Sequence, residues 1–427
     1  MTPQRKETAA GTARSHVALV LAGGAARGAY EVGVVHHILK EVSRDLGRPV
    51  PIDILCGTSV GAINACTLAA HADDPEGRAD LLVKQWTSLR LDQLARPNTS
   101  ELTAMVGSLI GRKRKPPKPG DMRRGGLLDP RGLEEIVRGA IPFDRIRENL
   151  RTRKLSALTV STTDVASGRT VVFVERSEGG LPRWSRDPTI EVRAATITAD
   201  HALASAAVPF FFPAVRIGMD FHCDGGLRQN VPLSPARRLG AEALIVVNPR
   251  YVGLPNDPNA SVSADVALER ETNYPGPLYL LGKALNALLL DRIDNDIARL
   301  RRLNEILAAG ARRYGPTFVQ EINRELDKGA HVSSLRPLHV VHVRAGSDIG
   351  RLAGEYVRSN DFAARAPGVV GKLLRRIGEW EGSGEADLLS YLLFDGDFAA
   401  QLIELGRADA AARHSELCAM FEACASL

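Results

Sequence analysis

Ser59 stands in Cys56-Gly57-Thr58-Ser59-Val60-Gly61, a G-x-S-x-G pentapeptide directly after the apolar run Pro51-Ile52-Asp53-Ile54-Leu55. The residues that follow, Ala62 to Ala70, are small and helix-compatible. Strand, sharp turn and helix in that order form the setting of a nucleophile elbow. The turn needs small residues on both sides, because the strained serine backbone leaves no room for neighbouring Cβ substituents. A hydroxyl held there is placed to attack a carbonyl, the first half of acyl transfer. The pentapeptide by itself reads equally well as a structural glycine turn.

A second motif bears on the same chemistry. His16 to Ala22 is an almost unbroken apolar run, the pattern of a strand buried on both faces, and Gly23-Gly24-Ala25-Ala26-Arg27-Gly28 comes next. A glycine-rich loop feeding a helix presents backbone N–H groups at a positive helix end, which suits a phosphate or a developing oxyanion. Gly23, Gly24 and Gly28 do not make the dinucleotide spacing, and no Lys-Ser or Lys-Thr follows the last glycine as a phosphate loop requires. An oxyanion hole remains, beside a turn that only closes helix against strand.

A serine nucleophile needs a base. Far downstream, Phe221-His222-Cys223-Asp224-Gly225-Gly226 holds an Asp followed by two glycines, readable as a tight turn or as the carboxylate that takes the serine proton. A Ser-His-Asp triad is the rival scheme. His222 lies on the same strand face as Asp224, which makes a relay through it awkward, and His201 sits near a helix N-terminus. His339 and His342 fall in an alternating apolar run and read as ordinary strand residues.

Taken in order, these motifs resemble the patatin-like phospholipases. Gly23 to Gly28 is similar to that family's oxyanion loop and Gly57-Thr58-Ser59-Val60-Gly61 to its elbow. Ala204-Ser205-Ala206-Ala207-Val208-Pro209 resembles its small-residue helix before a proline, and Asp224-Gly225-Gly226 the turn with its catalytic aspartate. Thr163-Asp164 with Gly168 resembles a family hairpin, in which Asp164 is expected to be a turn residue. The resemblance is strong over residues 16–250. It implies a three-layer α/β/α sandwich with a mostly parallel sheet, and lipid acyl hydrolysis of phospholipase A or lysophospholipase type. The catalytic pair it implies is Ser59 and Asp224, working through an acyl-enzyme. The oxyanion hole is expected from Gly23, Gly24, Ala25, Ala26, Arg27 and Gly28 together with Val60, the residue after the nucleophile. Arg27 has three readings: it fixes the loop, meets a lipid phosphate, or lies exposed in a first helical turn. Neutral-lipid or thioester hydrolysis is the alternative within the enzyme class, and a non-catalytic lipid-binding or scaffolding protein on the same fold is the alternative outside it.

Composition sets the frame for these motifs. The chain has 427 residues, 44% of them hydrophobic, enough for one large α/β domain and an appendage. Residues 1–15 are polar without the apolar core of a secretory signal and read as a disordered tail. The longest apolar stretch, Leu278 to Leu290, contains Lys283 and Asn286 and falls short of a membrane span. Cytoplasmic residence is the default. Five cysteines, Cys56, Cys66, Cys223, Cys418 and Cys424, show neither zinc spacing nor a disulfide framework, which fits reduced thiols. Cys56 and Cys223 each lie close in sequence to a proposed catalytic residue, which makes them candidate neighbours, with small-hydrophobe packing the blander reading. Asp291, Asp294 and Asp296 lack the glycine turn of a calcium loop, so no metal and no cofactor is expected.

The net charge is +5, with seven basic residues mixed with prolines in residues 111–124. This run reads as a solvated loop whose functional alternative is peripheral attachment to anionic lipid headgroups; without interleaved aromatics, nucleic acid is not the expected partner. Strand-like runs recur at Val17 to Ala22, Ile52 to Cys56, Ala157 to Thr162, Thr170 to Glu175, Ala243 to Asn248 and Leu338 to Val343. A long helix is expected from Pro275. The hydrolytic domain is assigned to residues 16–345 and a helical extension to residues 346–427, with helices at Val369 to Trp380, Ala386 to Phe394 and Phe398 to Leu405. That extension is a candidate cap over Pro209-Phe210-Phe211-Phe212-Pro213, whose phenylalanines are otherwise expected in the core.

Overall fold

A computed structural model of the chain describes residues 16–94, 96, 98, 126–178, 180–181, 184, 187–251, 293–328, 335–366, 368–379 and 383–425. The tail 1–15, the basic run 111–124 and the stretch from Pro275 to residue 292 lie outside the described residues.

Strand β1 (His16–Leu21) leads through a short 3-10 turn into helix α1 (Gly28–His37). Strand β2 (Ile54–Thr58) runs straight into α2 (Val60–Ala70), followed by α3 (Gly77–Thr87), α4 (Leu91–Leu94), α5 (Arg131–Ala140) and α6 (Phe143–Arg151). Then come β3 (Ala157–Asp164), β4 (Thr170–Arg176), β5 (Ile190–Ala194), α7 (Ala199–Ser205), and the hairpin β6 (Val215–Ile217) and β7 (Asp220–Asp224). After α8 (Leu233–Arg238) and β8 (Ala241–Asn248), the chain continues through α9 (Ile293–Tyr314), α10 (Phe318–Lys328) and β9 (His339–Arg344). The C-terminal helices are α11 (Ile349–Arg358), α12 (Asn360–Arg365), α13 (Val369–Glu379), α14 (Ser383–Leu392), α15 (Gly396–Ala411) and α16 (His414–Ala425).

The strands form one sheet in the order β5-β4-β3-β2-β1-β8-β9. β3, β2, β1, β8 and β9 are parallel, and β4 is antiparallel to β3. Parallel strands need both faces covered, and β1 shows why: Val17, Leu19 and Leu21 face one apolar cluster with α1 and α2, while Ala18 and Val20 face another with α8 and α9. The result is a three-layer α/β/α sandwich. All six strand-like runs read from the sequence lie in this sheet. β5 and β6 are short and half exposed, so their burial pattern carries little strand signal.

The chain goes from β1 toward β2 and β3 on one side and returns to β8 on the other, so the carboxyl ends of the central strands lie at a change of direction, where open α/β sheets bind ligands. The C-terminal helices pack on this layer. α15 crosses α1 so closely that a Cβ on Gly33 would meet the Ile403 carbonyl oxygen, and one on Gly406 the Tyr30 carbonyl oxygen. The Tyr30 hydroxyl donates to Asp409 of α15 at 3.0 Å, and Phe398, Leu402 and Ile403 share the core of the α1 face. Phe210, expected in the core, is instead 71% exposed: it follows the end of α7 with φ 70, and its backbone carbonyl rather than its ring makes the inward contact, accepting from Leu127 N–H at 2.8 Å. Among the described residues no helix is long and apolar enough to cross a membrane.

Candidate active site

Ser59 occupies the turn between β2 and α2 with φ 55 and ψ −128, a conformation sparsely populated by any residue with a side chain. Two glycines make it attainable: a Cβ on Gly57 would come within 2.5 Å of Ala62 Cα, and one on Gly61 within 2.5 Å of the Ala22 carbonyl oxygen. A third contact holds the strained peptide. The Ser59 N–H donates to the Ser205 hydroxyl at 2.8 Å, and that hydroxyl donates to the Ser161 carbonyl at 2.6 Å. Ser205 sits at the end of α7, so it bolts the elbow to the middle of β3.

The second carboxyl end arrives from the opposite direction. β2 pairs parallel with β3 and stops at Thr58 opposite Ser161; β7 pairs antiparallel with β3 and stops at Asp224 opposite Thr162. Because β4 occupies the other edge of β3, β2 and β7 share one edge and run head-on into each other. Their ends therefore meet, and Ser59 Oγ donates to Asp224 Oδ2 at 2.6 Å. Gly225 allows the approach, since a Cβ there would strike the Ser161 carbonyl oxygen and come within 3.0 Å of Thr58 Cγ2. Asp224 Oδ1 accepts from Gly226 N–H at 2.6 Å, and the residue is fully buried. Burial raises the carboxyl to a pKa of about 7, against the opposing pull of the Ser59 and Gly226 hydrogen bonds.

The glycine loop after β1 lies alongside. Gly23 is held on both sides by Asn230: its N–H donates to the Asn230 carbonyl and its carbonyl accepts from Asn230 Nδ2, each at 3.1 Å. Arg27 N–H donates to the Gly24 carbonyl at 3.0 Å, and Gly28 N–H is directed at the Ala25 and Ala26 carbonyls. With these three amides committed, Gly24, Ala25, Ala26 and Val60 remain as candidate oxyanion donors. Ala25 carries φ 48, a bend that re-aims the loop's peptides.

Of the three readings of Arg27, the structure matches the loop-fixing one. The side chain is buried at 4% exposure; Nε donates to Ser390 Oγ at 2.7 Å, Nη2 to Asp387 Oδ1 at 3.0 Å, and the guanidinium lies 4.2 Å from the centre of the Tyr391 ring. All three partners belong to α14. Behind the elbow, Asn64 of α2 donates to the Gly28 carbonyl at 3.2 Å and to Glu31 at 3.0 Å, and accepts from Trp86 Nε1 at 3.0 Å. Burial holds the Glu31 carboxyl well above the ordinary carboxylate range, against the opposing pull of the hydrogen bond from Asn64.

No histidine completes a triad among the described residues. His222 faces Thr162 Oγ1 at 3.0 Å and stacks edge-on against Phe173, while His201 closes a capping box with Thr198. His339 and His342 lie in β9 at the far edge of the sheet. Cys56 pairs opposite Thr159 and Cys223 opposite Thr163, so four residues of β3, about 13 Å, separate them and they are not neighbours. Burial pushes Cys56 up to about 12, and all five thiols are free. Asp164 accepts from Ser167 N–H at 2.7 Å, closing the β3–β4 turn. Asp164, Asp220 and His222 bring ligand atoms within 4.8 Å of one another, but the Arg193 guanidinium, 2.8 Å from Asp220, already supplies a counter-charge there.

A largely apolar cavity of about 350 Å³ touches Val60 and extends between α2, α3 and α5. Ile63, Trp86, Leu133, Ile136 and Phe394 are among its walls. Ser205, Asn230, Asp387, Ser390 and Tyr391 escape sequence reasoning about this site. Small polar residues distant in sequence carry no periodicity to mark them; only for Ser205, inside a small-residue helix ending before a proline, is there a local signal.

Comparison with known proteins follows the same residues. A cGAMP-activated phospholipase of Pseudomonas aeruginosa is 29% identical over 216 residues, which is 50% of this chain and 53% of that protein. The chain thus spans about half the length of the curated relative it matches. Among solved structures, human GIVD cytosolic phospholipase A2 in complex with methyl gamma-linolenyl fluorophosphonate aligns over 96% of this chain and 59% of its own at 12% identity with TM-score 0.41. VipD of Legionella pneumophila aligns over 90% and 91% at 12% identity with TM-score 0.26. The family pattern described as patatin-like phospholipase matches residues 19–237, just over half of the 427 residues, and takes in the glycine loop, the elbow and the Asp-Gly-Gly turn. On that match the chain belongs to the patatin-like phospholipase family.

Proposed function

We propose that this protein hydrolyses carboxylic esters of acyl lipids, in the manner of a phospholipase A or lysophospholipase, with Ser59 as nucleophile and Asp224 as its base. The observation that carries this reading is the 2.6 Å hydrogen bond from Ser59 Oγ to Asp224 Oδ2, made from a strained elbow onto a buried carboxylate. A base poised near neutrality has the proton affinity that general-base catalysis needs. As Oγ bonds to the ester carbonyl carbon, its proton passes to Asp224 and the carbonyl electron pair moves to oxygen. That oxyanion is held by amides from Gly24, Ala25, Ala26 and Val60. Collapse expels the alcohol, which takes the proton back from Asp224 and leaves an acyl-Ser59. Water then repeats the sequence with Asp224 as base, releasing fatty acid and free serine. The apolar cavity beside Val60 suits the acyl chain, being within the size range of small-molecule sites.

The test is fatty-acid release from mixed phospholipid and lysophospholipid vesicles by wild type, Ser59→Ala and Asp224→Asn, with the fold of each checked by circular dichroism. Both variants are expected to lose release by at least about a thousandfold. Retention of most activity by Asp224→Asn would overturn the dyad. Inactivity of the wild type toward phospholipid, neutral glyceride and thioester alike would favour a binding protein on this fold.

A further inference from the structure

The hairpin that ends in Asp224 carries an exposed apolar surface that the chemistry above does not use. Phe221 is 49% exposed and pairs across the hairpin with Arg216, which is also exposed; Met219 at the tip is 82% exposed. The β3–β4 turn continues the surface: Val165, 52% exposed, donates its N–H to the Phe221 carbonyl at 2.8 Å. Arg169 lies in that turn, and Arg228 reaches it, since a Cβ on Gly168 would stand 3.6 Å from its guanidinium. Arg216, Arg169 and Arg228 are exposed and make no ion pair among the described residues, whereas the nearby acids Asp220 and Glu191 are both taken up by Arg193. The surface is therefore apolar at its projecting points and positive around them.

We infer that this hairpin and turn form the face by which the protein docks on an anionic phospholipid bilayer, an inference that rests on the lipid-hydrolase reading of the neighbouring site. Soluble proteins rarely leave large apolar side chains clustered at protruding tips unless something covers them. Apolar tips ringed by arginines that make no ion pair among the described residues match the two layers of a bilayer surface, acyl chains below and anionic headgroups above. Met219 and Val165 stand in turns and Phe221 in the adjoining strand, exposed points suited to insertion between lipids. Strand alternation couples the surface to the site. Phe221 points out where His222 and Asp224 point in, and Phe210, three residues beyond the Ala207 carbonyl that accepts from Asp224 N–H, is also turned outward. Docking on this face would hold against the bilayer the strand that ends in Asp224.

The experiment is co-sedimentation with phosphatidylcholine vesicles with and without phosphatidylglycerol, carried out on the full chain with Ser59→Ala so that turnover does not alter the vesicles. The unsubstituted face is expected to prefer the anionic vesicles. The triple change Arg216→Ala, Arg169→Ala and Arg228→Ala is expected to weaken binding about a hundredfold, and Met219→Glu with Phe221→Glu at least about tenfold. With Ser59 restored, Met219→Glu/Phe221→Glu should lose vesicle hydrolysis yet cleave a soluble short-chain ester like wild type, which also reports an intact fold. Vesicle binding by Met219→Glu/Phe221→Glu equal to that of the unsubstituted face would overturn the inference, and so would failure of the unsubstituted face to bind any vesicle, which would turn attention to a protein partner. Because binding is read without turnover, a protein that binds vesicles through these residues but cleaves no ester would refute the hydrolase reading and leave the docking face standing.

Discussion

The guanidinium of Arg27 donates to the Asp387 carboxylate at 3.0 Å, joining the glycine loop to a helix 360 residues further along the chain. With Ser390 and Tyr391 completing its surroundings, Arg27 is a buried cation whose neutralising partner comes wholly from the C-terminal helices. The loop proposed to hold the oxyanion is thus shaped from outside the segment that contains the family motifs.

Asp387→Ala therefore has two expected effects. Leaving Arg27 buried without its carboxylate should cost about 3 kcal/mol of stability, read as a lower urea midpoint. Loosening the loop should lower kcat on a soluble ester by up to about a hundredfold with little change in KM, since donors act on the transition state and not on bound substrate.

The pKa of Asp224, raised to about 7 by burial, sets the pH profile. Only the carboxylate accepts the serine proton, so kcat/KM should rise with pH through about 7 and then level off. A profile flat from pH 5 to 8, on the order of the range over which an unshifted carboxylate is already ionised, would contradict the assignment of Asp224 as base.

The same shift affects stability with the opposite sense. The folded state holds the Asp224 proton more tightly than the unfolded chain, so stability should fall as pH rises from the unfolded value of 3.8 through about 7. Asp224→Asn carries no such charge. Its melting temperature relative to wild type should therefore increase across that window and become constant above it.

At Ser59 the φ of 55 and ψ of −128 should make the elbow a reservoir of strain. Ser59→Gly and Ser59→Ala both remove the nucleophile, but only glycine relieves the backbone. The glycine variant should be more stable than the alanine variant by about 1 kcal/mol in urea unfolding.

The cavity beside Val60 predicts chain-length selection. Ile63→Phe and Leu133→Phe narrow it from two different helices and should raise the preference for short-chain over long-chain esters by about tenfold in kcat/KM. An unchanged preference in both variants would place the acyl chain elsewhere.

Much of this molecule follows from short stretches of its sequence. The apolar runs around Leu19, Leu55, Val160, Val172, Ile245 and Val341 mark the strands, because a parallel strand buried on both faces has almost no polar residue to break the pattern. Gly57, Ser59 and Gly61 mark the elbow, because its backbone tolerates nothing larger on either side. Of the C-terminal helices, α13, α14 and α15 are legible from spacing, whereas α11, α12 and α16 are not anticipated and α14 gives no hint that it carries the partners of Arg27.

What tertiary structure alone decides is which distant groups meet. The sequence nominates Asp224 by its glycines, but its meeting with Ser59 depends on β2 and β7 ending at adjacent residues of one edge of β3, a register fixed by non-local hydrogen bonds. Asn230 around Gly23 and Asp387 beside Arg27 are single polar residues with no local pattern, and Ser205 under the elbow has only its small-residue helix to mark it; packing alone identifies the partners of all three. Exposure is decided in the same way: Phe210 is apolar enough for the core, yet its place just past α7 and its left-handed backbone turn it to the surface. Local sequence sets backbone preference and periodicity, which are short-range properties; contacts across the sheet and between layers are set by the packing of the whole chain.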